Sequence, residues 1–199
     1  MDFETLLFLA RRVTQVVRIP FTVDIEGGYS RSVNGITENI KKLYDAGVVG
    51  VNLEDTLPNP TRQFQAIPDF QKTLTTVANN LSKENIKMFI NVRTDGFLLG
   101  MPNALTETLQ RIKAYENSGA SGIFVPCITS KDDIREVVKA TRLPINVMCM
   151  PQLPDFEDLK SLGVKRISIG PFVKQYANQK TDEAIRAIKE KGNFASLFA

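Results

Sequence analysis

The chain has 199 residues, of which 43% are hydrophobic and 24% charged, as in an ordinary globular protein. Its 25 basic and 22 acidic residues give a net charge of +3, and no basic stripe indicates a nucleic-acid or membrane partner. Histidine is absent, which excludes a Ser-His-Asp triad, a Cys-His pair and a histidine-ligated zinc within this chain. We expect one domain over residues 1–199.

The N-terminus and the cysteines indicate a compartment. Residues 6–9 are apolar, but Asp2 and Glu4 precede them and basic residues follow, which is the reverse of a signal peptide. No stretch reaches the ~18 apolar residues that a transmembrane helix needs. Cys127 and Cys149 lie in apolar runs and are predicted to be buried free thiols. These features predict a soluble cytoplasmic protein.

Helical and strand periodicities alternate along the chain. In chain order we predict helix 2–18, strand 21–26, helix 36–46, strand 48–53, a proline-rich loop 56–68, helix 69–83, strand 88–94, helix 104–117, strand 123–127, helix 131–140, strand 145–150, helix 155–161, strand 166–169 and helix 173–190. Three helices end on a glycine just before a strand, at Gly47, Gly119 and Gly163. Such repeated strand–helix units predict a parallel sheet.

Two α/β architectures fit this alternation, an open doubly wound sheet and a (β/α)8 TIM-type barrel. No GxGxxG or GxxxxGK[ST] loop follows the first strand, which weakens the nucleotide-binding versions of the open sheet. Polar residues at several strand ends favour the barrel, because the carboxyl ends of its strands converge on one mouth. We therefore predict the barrel type.

Charged and amide side chains mark the ends of the predicted strands. Side chains alternate along a strand, so Asp24 and Glu26 are expected on one face, and Asn52 and Glu54 likewise. Asn91, Arg93 and Asp95 share a face in the same way, and Ser168 lies near the end of the sixth strand, whereas Asn146 comes early in its strand. For any single carboxylate the alternative is a helix cap or a surface ion pair. Their joint position at strand ends indicates a site.

The residue types suggest the chemistry of that site. Asp24, Glu26 and Glu54, with no histidine nearby, favour a hard cation with oxygen ligands, Mg²⁺ or alternatively Mn²⁺. Arg93 has two interpretations that the sequence leaves open. It either clamps a substrate carboxylate or phosphonate, or forms an internal ion pair with Asp95 or Glu54.

Six segments in order resemble the isocitrate lyase/phosphoenolpyruvate mutase superfamily, in its phosphonomutase-like branch. They are FTVDIEGGY (21–29), GVNLED (50–55), NVRTD (91–95), GIFVP (122–126), LPINV (143–147) and RISIGP (166–171). Each motif alone is weak, but six in order are specific. The resemblance implies a barrel that forms homo-oligomers, dimers or tetramers, often with the last helix exchanged. It also implies an Mg²⁺-dependent lyase or mutase that acts on a small 2-oxo carboxylate or phosphonate through an enolate.

The resemblance also assigns roles to individual residues. As metal ligands, directly or through water, it implies Asp24, Glu26 and Glu54. As catalytic groups it implies Arg93 and Glu54. As substrate-binding groups it implies Arg93, Asn52, Asn146, Gly27, Gly28 and Tyr29.

Two departures from the family pattern matter. Family lyases carry a Lys-[Lys/Arg]-Cys-Gly-His-type loop, whereas residues 56–63 read TLPNPTRQ, which argues against isocitrate or methylisocitrate cleavage. Family barrels also begin with two strands before the segment that matches 2–18, so we expect an incomplete barrel of six strands with open edges near Val23 and Ile167. One alternative is therefore a shortened, non-catalytic homologue that serves as an oligomeric or partner-bound module. Another is that Met1 is an internal methionine of a longer chain.

Overall fold

The structure of the protein, a computed structural model, describes residues 1–57 and 62–198. The strands are β1 (Thr22–Asp24), β2 (Gly50–Glu54), β3 (Thr56–Leu57), β4 (Gln63–Phe64), β5 (Phe89–Arg93), β6 (Gly122–Val125), β7 (Ile145–Met148) and β8 (Arg166–Ser168). The helices are α1 (Phe3–Thr14), α2 (Val33–Asp45), α3 (Ile67–Lys83), α4 (Ala104–Tyr115), α5 (Lys131–Lys139), α6 (Phe156–Leu162) and α7 (Phe172–Lys191). A 3₁₀ turn, Ala195–Leu197, follows α7.

Six of these strands form a curved parallel sheet. Within the described ranges their order is β1-β2-β5-β6-β7-β8, and β3 and β4 form a separate antiparallel pair. Arg166 Nη2 at the start of β8 donates to Thr22 Oγ1 at the start of β1, at 3.3 Å, so the two edge strands face each other across the concave side. The prediction of an incomplete (β/α)8-type barrel with six parallel strands is confirmed.

The two faces of the sheet differ in polarity, and this difference shows on which side the hydrophobic core lies. Apolar side chains such as Val51, Leu53 and Val92 alternate with polar ones and are buried beneath the helices. The polar residues between them, Asn52 and Asn91, are register partners on adjacent strands and turn to the concave side. The hydrophobic core therefore lies between sheet and helices, and the concave side is left for polar side chains.

Several predicted element boundaries differ from the structure by a few residues, and two of them lie near the N-terminus. The first helix ends at Thr14 instead of residue 18, and at that end Thr14 Oγ1 donates to the carbonyl of Ala46 just after α2 at 2.6 Å. The first strand ends at Asp24, and Glu26 has a φ of 49° in the following turn. Asp24 and Glu26 consequently do not share a strand face as predicted.

The segment 56–68, predicted as a loop, contains the β3–β4 pair. Thr56 pairs with Phe64 and Leu57 with Gln63 in antiparallel register. Residues 58–61 of the predicted loop lie outside the described residues. The segment after β2 therefore turns back toward the sheet end from which it leaves.

The structure bears on the expected membrane spans and on the two cysteines. None of the helices in the described residues combines the length and apolar character needed to cross a membrane. Cys127 and Cys149 are free thiols, but each is half-buried instead of buried as predicted. Cys127 has a φ of 63° just beyond the end of β6, which takes its side chain out of the strand pattern.

The glycines predicted to end helices adopt the left-handed conformation. Gly47, Gly119 and Gly163 have φ values of 88°, 104° and 93°. At Gly119 the surroundings add a second constraint, since a Cβ there would lie 2.3 Å from Ala78 Cβ on α3. Gly119 lies in the connection from α4 to β6, so a backbone shift at this residue would displace the start of a strand of the sheet.

We predict that Gly119→Ala lowers the free energy of unfolding by about 2–4 kcal/mol, from left-handed strain and overpacking together. Gly100→Ala is the matched control, because Gly100 has a φ of 62° and a Cβ there would meet no atom within 4 Å. It should lose only about 1–2 kcal/mol. Urea denaturation measures both, and equal losses would contradict the steric argument.

Candidate active site

A line of hydrogen-bonded polar side chains crosses the concave face from β1 to β8. Asn52 Nδ2 donates to Asp24 Oδ2 at 3.3 Å, and Asn91 Nδ2 donates to Asn52 Oδ1 at 2.9 Å. Asn91 Nδ2 also donates to Asn146 Oδ1 at 3.2 Å, and Ser168 Oγ donates to the same oxygen at 3.0 Å. We call these five residues the amide ladder. Asn91 joins its two halves.

The interior of the amide ladder is closed to solvent. Asn91 and Asn146 are only 2% and 1% exposed. Gly122 on β6 makes room for Asn91, because a Cβ at Gly122 would lie 3.1 Å from Asn91 Oδ1. The predicted substrate-binding residue Asn146 therefore lies in the floor of the site, while Asn52, half-buried, lies closer to its opening.

Above the amide ladder lies a cluster of charged side chains. Glu54 and Arg93 are register partners at the ends of β2 and β5, and Arg93 Nη1 lies 2.7 Å from Glu54 Oε1. Arg93 Nε donates to Asp95 Oδ1 at 2.7 Å and Nη2 donates to Asp95 Oδ2 at 3.4 Å. The internal ion pair that the sequence left open for Arg93 thus forms with both carboxylates.

A second arginine completes this cluster. Arg62 Nη1 donates to Glu54 Oε2, to Asp95 Oδ2 at 2.5 Å and to Thr56 Oγ1 at 3.2 Å. Sequence reasoning missed Arg62, although it is the single basic residue of segment 56–63. We call Glu54, Asp95, Arg62 and Arg93 the charged cluster.

The segment that carries Arg62 is anchored by a buried ion pair. Asp55 Oδ2 accepts from Arg111 Nη1 at 3.1 Å and from Tyr115 OH at 3.0 Å. The Arg111 guanidinium lies 3.6 Å from the centroid of the Phe64 ring, and its Nη2 donates to the carbonyl of Gln65 at 3.1 Å. Gln65 N donates in turn to the Asp55 carbonyl at 2.9 Å. Helix α4 thereby holds the β3–β4 pair against the end of β2.

Burial perturbs the acids of this region. It raises the pKa of the Asp55 carboxyl to about 6, although the neighbouring Arg111 charge opposes the shift. It also raises the pKa of Glu54, against the opposing charge of Arg93. Both carboxyls are therefore in surroundings that disfavour an unpaired negative charge, which explains why each has an arginine partner.

The turn after β1 carries the remaining predicted site residues. The backbone N–H of Glu26 donates to Asp24 Oδ1 at 2.9 Å, and both side chains are exposed. Gly28 has a φ of 96°, and a Cβ there would lie 2.7 Å from Ile36 Cγ1. Both the backbone conformation and the packing therefore require a glycine at this position. The Tyr29 ring lies 5.9 Å from that of Phe3 on α1. Burial raises the Tyr29 pKa, and the charges of Glu26 and Asp24 add to the shift.

Gly27 is a neighbour of the segment after β2. A Cβ at Gly27 would lie 3.6 Å from the carbonyl oxygen of Thr56, in ordinary contact. Substitution here is therefore tolerated sterically, in contrast to Gly28. The roles predicted for Gly27, Gly28 and Tyr29 in substrate binding stay predictions.

The three predicted metal ligands do not form a coordination shell. Within residues 1–57 and 62–198, no three acidic, cysteine or histidine side chains are placed to hold a metal ion together. Both oxygens of Glu54 are bound by arginines, and Glu26 leaves the strand face of Asp24. As a set these residues do not fit a cation held by three carboxylates. Asp24 and Glu26 keep exposed carboxylates, and of the two only Asp24 lies within a strand of the sheet.

An incomplete parallel barrel with charged side chains at the carboxyl ends of its strands defines the general class of the protein. A comparison with protein families identifies it more closely. The chain belongs to the phosphoenolpyruvate phosphomutase family, whose model matches residues 1–189. The family resemblance inferred from the six motifs is confirmed.

Two curated relatives illustrate the similarity. The chain is 30% identical over 169 residues to an uncharacterized protein of Mycobacterium tuberculosis (strain ATCC 25618 / H37Rv), covering 85% of this chain and 61% of that protein. It is 29% identical over 189 residues to an oxaloacetate decarboxylase of Bradyrhizobium sp. (strain BTAi1), covering 90% of this chain and 62% of that enzyme. The chain thus spans about three fifths of the length of these relatives.

Solved structures share the fold. A provisionally assigned phosphonomutase from Burkholderia cenocepacia J2315 is 30% identical, with a TM-score of 0.86 over 94% of this chain and 79% of that one. A phosphonopyruvate hydrolase in complex with oxalate and Mg²⁺ is 22% identical, with a TM-score of 0.82 over 97% of this chain and 69% of that one. At this identity the second likeness shows the fold alone.

We predict that Asn91→Ala lowers the free energy of unfolding by about 1–3 kcal/mol, because Asn52 Oδ1 loses its donor and the buried Asn146 Oδ1 keeps only Ser168 Oγ as a donor. Asn79→Ala on the exposed side of α3 is the matched control and should change stability by less than about 0.5 kcal/mol. Urea denaturation of both variants gives the comparison. A neutral Asn91→Ala would show that the ladder does not stabilise the sheet.

Proposed function

We propose that the protein is a lyase or mutase that acts on a small 2-oxo carboxylate or phosphonate and breaks or forms a C–C or P–C bond through an enolate. The observation that carries this proposal is the arrangement of Arg93. Its guanidinium lies at the carboxyl end of β5 and is held by Glu54 and Asp95 on either side. A fixed cation at the mouth of a parallel barrel suits an anionic substrate.

Arg93 keeps donors for such a substrate. A guanidinium has five N–H donors in one plane. In the contacts among the described residues, three of them reach Glu54 and Asp95, through Nη1, Nε and Nη2. The remaining two, one on each terminal nitrogen, suit a carboxylate or an enolate oxygen. Glu54 then acts as a positioning residue for Arg93, and its predicted catalytic role stays a prediction.

The environment of Arg93 strengthens its interaction with developing charge. The side chains of Glu54 and Asp95 are 4% and 0% exposed, and that of Arg93 is 16% exposed. In such a poorly solvated site a hydrogen bond to a charged oxygen is worth more than in water. When the bond beta to the 2-oxo group breaks, its electron pair passes to the carbonyl oxygen, and an oriented guanidinium stabilises the enolate.

The relatives favour a 2-oxo acid as substrate. The Bradyrhizobium relative is named an oxaloacetate decarboxylase, and one structure of the same fold is a phosphonopyruvate hydrolase with oxalate and Mg²⁺. Oxaloacetate and phosphonopyruvate are therefore suitable test substrates, and oxalate is a planar mimic of an enolate. We assign any dependence on Mg²⁺ or Mn²⁺ to the exposed Asp24, with water as further ligands, since Mg²⁺ in proteins commonly takes one or two carboxylates.

Assembly into a homo-oligomer is a further part of the proposal. Helix α7 spans 20 residues, none of them buried. Val173 and Tyr176 on this helix are 62% and 64% exposed. A helix with this apolar surface gains stability by packing against a second copy of the chain. The family resemblance points in the same direction.

We predict turnover of oxaloacetate or phosphonopyruvate, and a loss of about 10²-fold in kcat/KM in Arg93→Lys, because an ammonium cannot replace the planar fork. Thermal unfolding supplies a readout independent of turnover. Oxalate with Mg²⁺ should stabilise the wild type, and Asp24→Ala should lose the Mg²⁺-dependent part of that shift.

Arg12→Lys, on the exposed side of α1, is the matched control for this experiment and should behave as the wild type. No turnover of either substrate, together with no oxalate shift, would contradict the proposal. That result would favour the alternative of a non-catalytic homologue.

We predict that the chain forms dimers or tetramers, measured as the mass in light scattering coupled to size exclusion. The double variant Val173→Glu/Tyr176→Glu should shift the mass toward the monomer, because it places charge in the apolar surface of α7. Lys174→Glu, on the same helix and exposed, is the matched control and should leave the mass unchanged. A monomeric wild type would contradict the prediction.

A further inference from the structure

One nitrogen of Arg62 occupies a point at which three side-chain oxygens converge. Its Nη1 contacts Glu54 Oε2 and lies 2.5 Å from Asp95 Oδ2 and 3.2 Å from Thr56 Oγ1. Two carboxylate oxygens and a hydroxyl around one point form a donor set that suits a hard cation. In this chain the positive charge at that point belongs to the protein itself.

The charge balance of the cluster requires such a cation. Glu54 and Asp95 carry two negative charges on side chains that are 4% and 0% exposed. Arg93 contacts both but supplies only one positive charge. An uncompensated charge at a buried position is strongly unfavourable. The second positive charge comes from Arg62, and with it the cluster is neutral.

The position of Arg62 is set by the chain around it. Phe64, two residues later, packs against the Arg111 guanidinium. The carbonyl of Gln65 accepts a hydrogen bond from Arg111, and its backbone N–H donates one to the carbonyl of Asp55. These contacts bring the end of β4 next to the end of β2. Arg62 therefore reaches Glu54 and Asp95 from an anchored segment, and little conformational freedom is lost in making the contact.

We propose that Arg62 is an internal cation, which occupies the position between Glu54 and Asp95 that a divalent metal ion would otherwise take and closes it to metals. The predicted ligand Glu54 is then excluded from metal binding by the loop arginine. This inference rests on the proposed function only in assigning metal dependence to Asp24. It explains why Glu54 does not join Asp24 in one coordination shell.

The test is a titration of the full chain with Mn²⁺, in which electron paramagnetic resonance reports free Mn²⁺ and thermal unfolding reports stability. Arg62→Gln removes the charge and is expected to bind one Mn²⁺ more per chain than the wild type. Arg62→Lys retains a positive charge at the same place, and Arg12→Gln removes an exposed one; both are expected to bind as the wild type. Adding Asp95→Asn to Arg62→Gln should abolish the gained site.

Several outcomes would overturn the inference. It fails if Arg62→Gln binds no more Mn²⁺ than the wild type, or if Arg62→Lys gains the same site. If Arg62→Gln is unfolded without metal, refolding on addition of Mn²⁺ supports the inference, and a variant that stays unfolded with Mn²⁺ contradicts it. The Asp24→Ala/Arg62→Gln variant should keep the gained Mn²⁺ site. This variant therefore tests the inference about Arg62 independently of the metal site proposed at Asp24.

Discussion

The buried ion pair between Asp55 and Arg111 is the interaction on which the geometry of the site depends. Asp55 directly follows Glu54 at the end of β2, and Arg111 lies on α4. Through Phe64 and Gln65, Arg111 also holds the segment that returns to the sheet. Breaking a buried pair costs about 3–5 kcal/mol because one charge is left without a partner. The pair therefore fixes both the strand end and the segment that carries Arg62.

A polar concave side constrains the sheet in a different way. Hydrophobic packing is non-directional, whereas a buried amide needs partners at defined distances. In the ladder, Asn91 supplies both donors of its amide, one to Asn52 and one to Asn146. Because these residues lie on three different strands, their hydrogen bonds fix the register of the sheet from within. The outer face, covered by helices, supplies stability without comparable directional constraint.

Much of this fold follows from local sequence patterns, and part of the site does not. Apolar periodicity predicts the strand–helix alternation, and Gly119 predicts a left-handed helix end, because both are local properties. The contact between Glu54 and Arg93 is also predictable, because the two residues lie at the ends of adjacent parallel strands. Arg62 reaches the same carboxylates from a segment whose return no local pattern encodes. Glu26 departs from the strand because of a positive φ, which sequence alternation does not reveal.

Exposure divides the carboxylates of the site into two kinds. Asp24 is exposed at the end of an edge strand, where its carboxylate is solvated by water without a cation at little cost in free energy. Glu54 and Asp95 are buried, so each exchange of a cation there would pass through an unpaired charge in poorly solvated surroundings. A cation that belongs to the chain avoids that state, since it stays near the carboxylates. The exposed position of Asp24 is therefore compatible with reversible metal binding. The buried carboxylates of Glu54 and Asp95 are better suited to a permanent guanidinium partner.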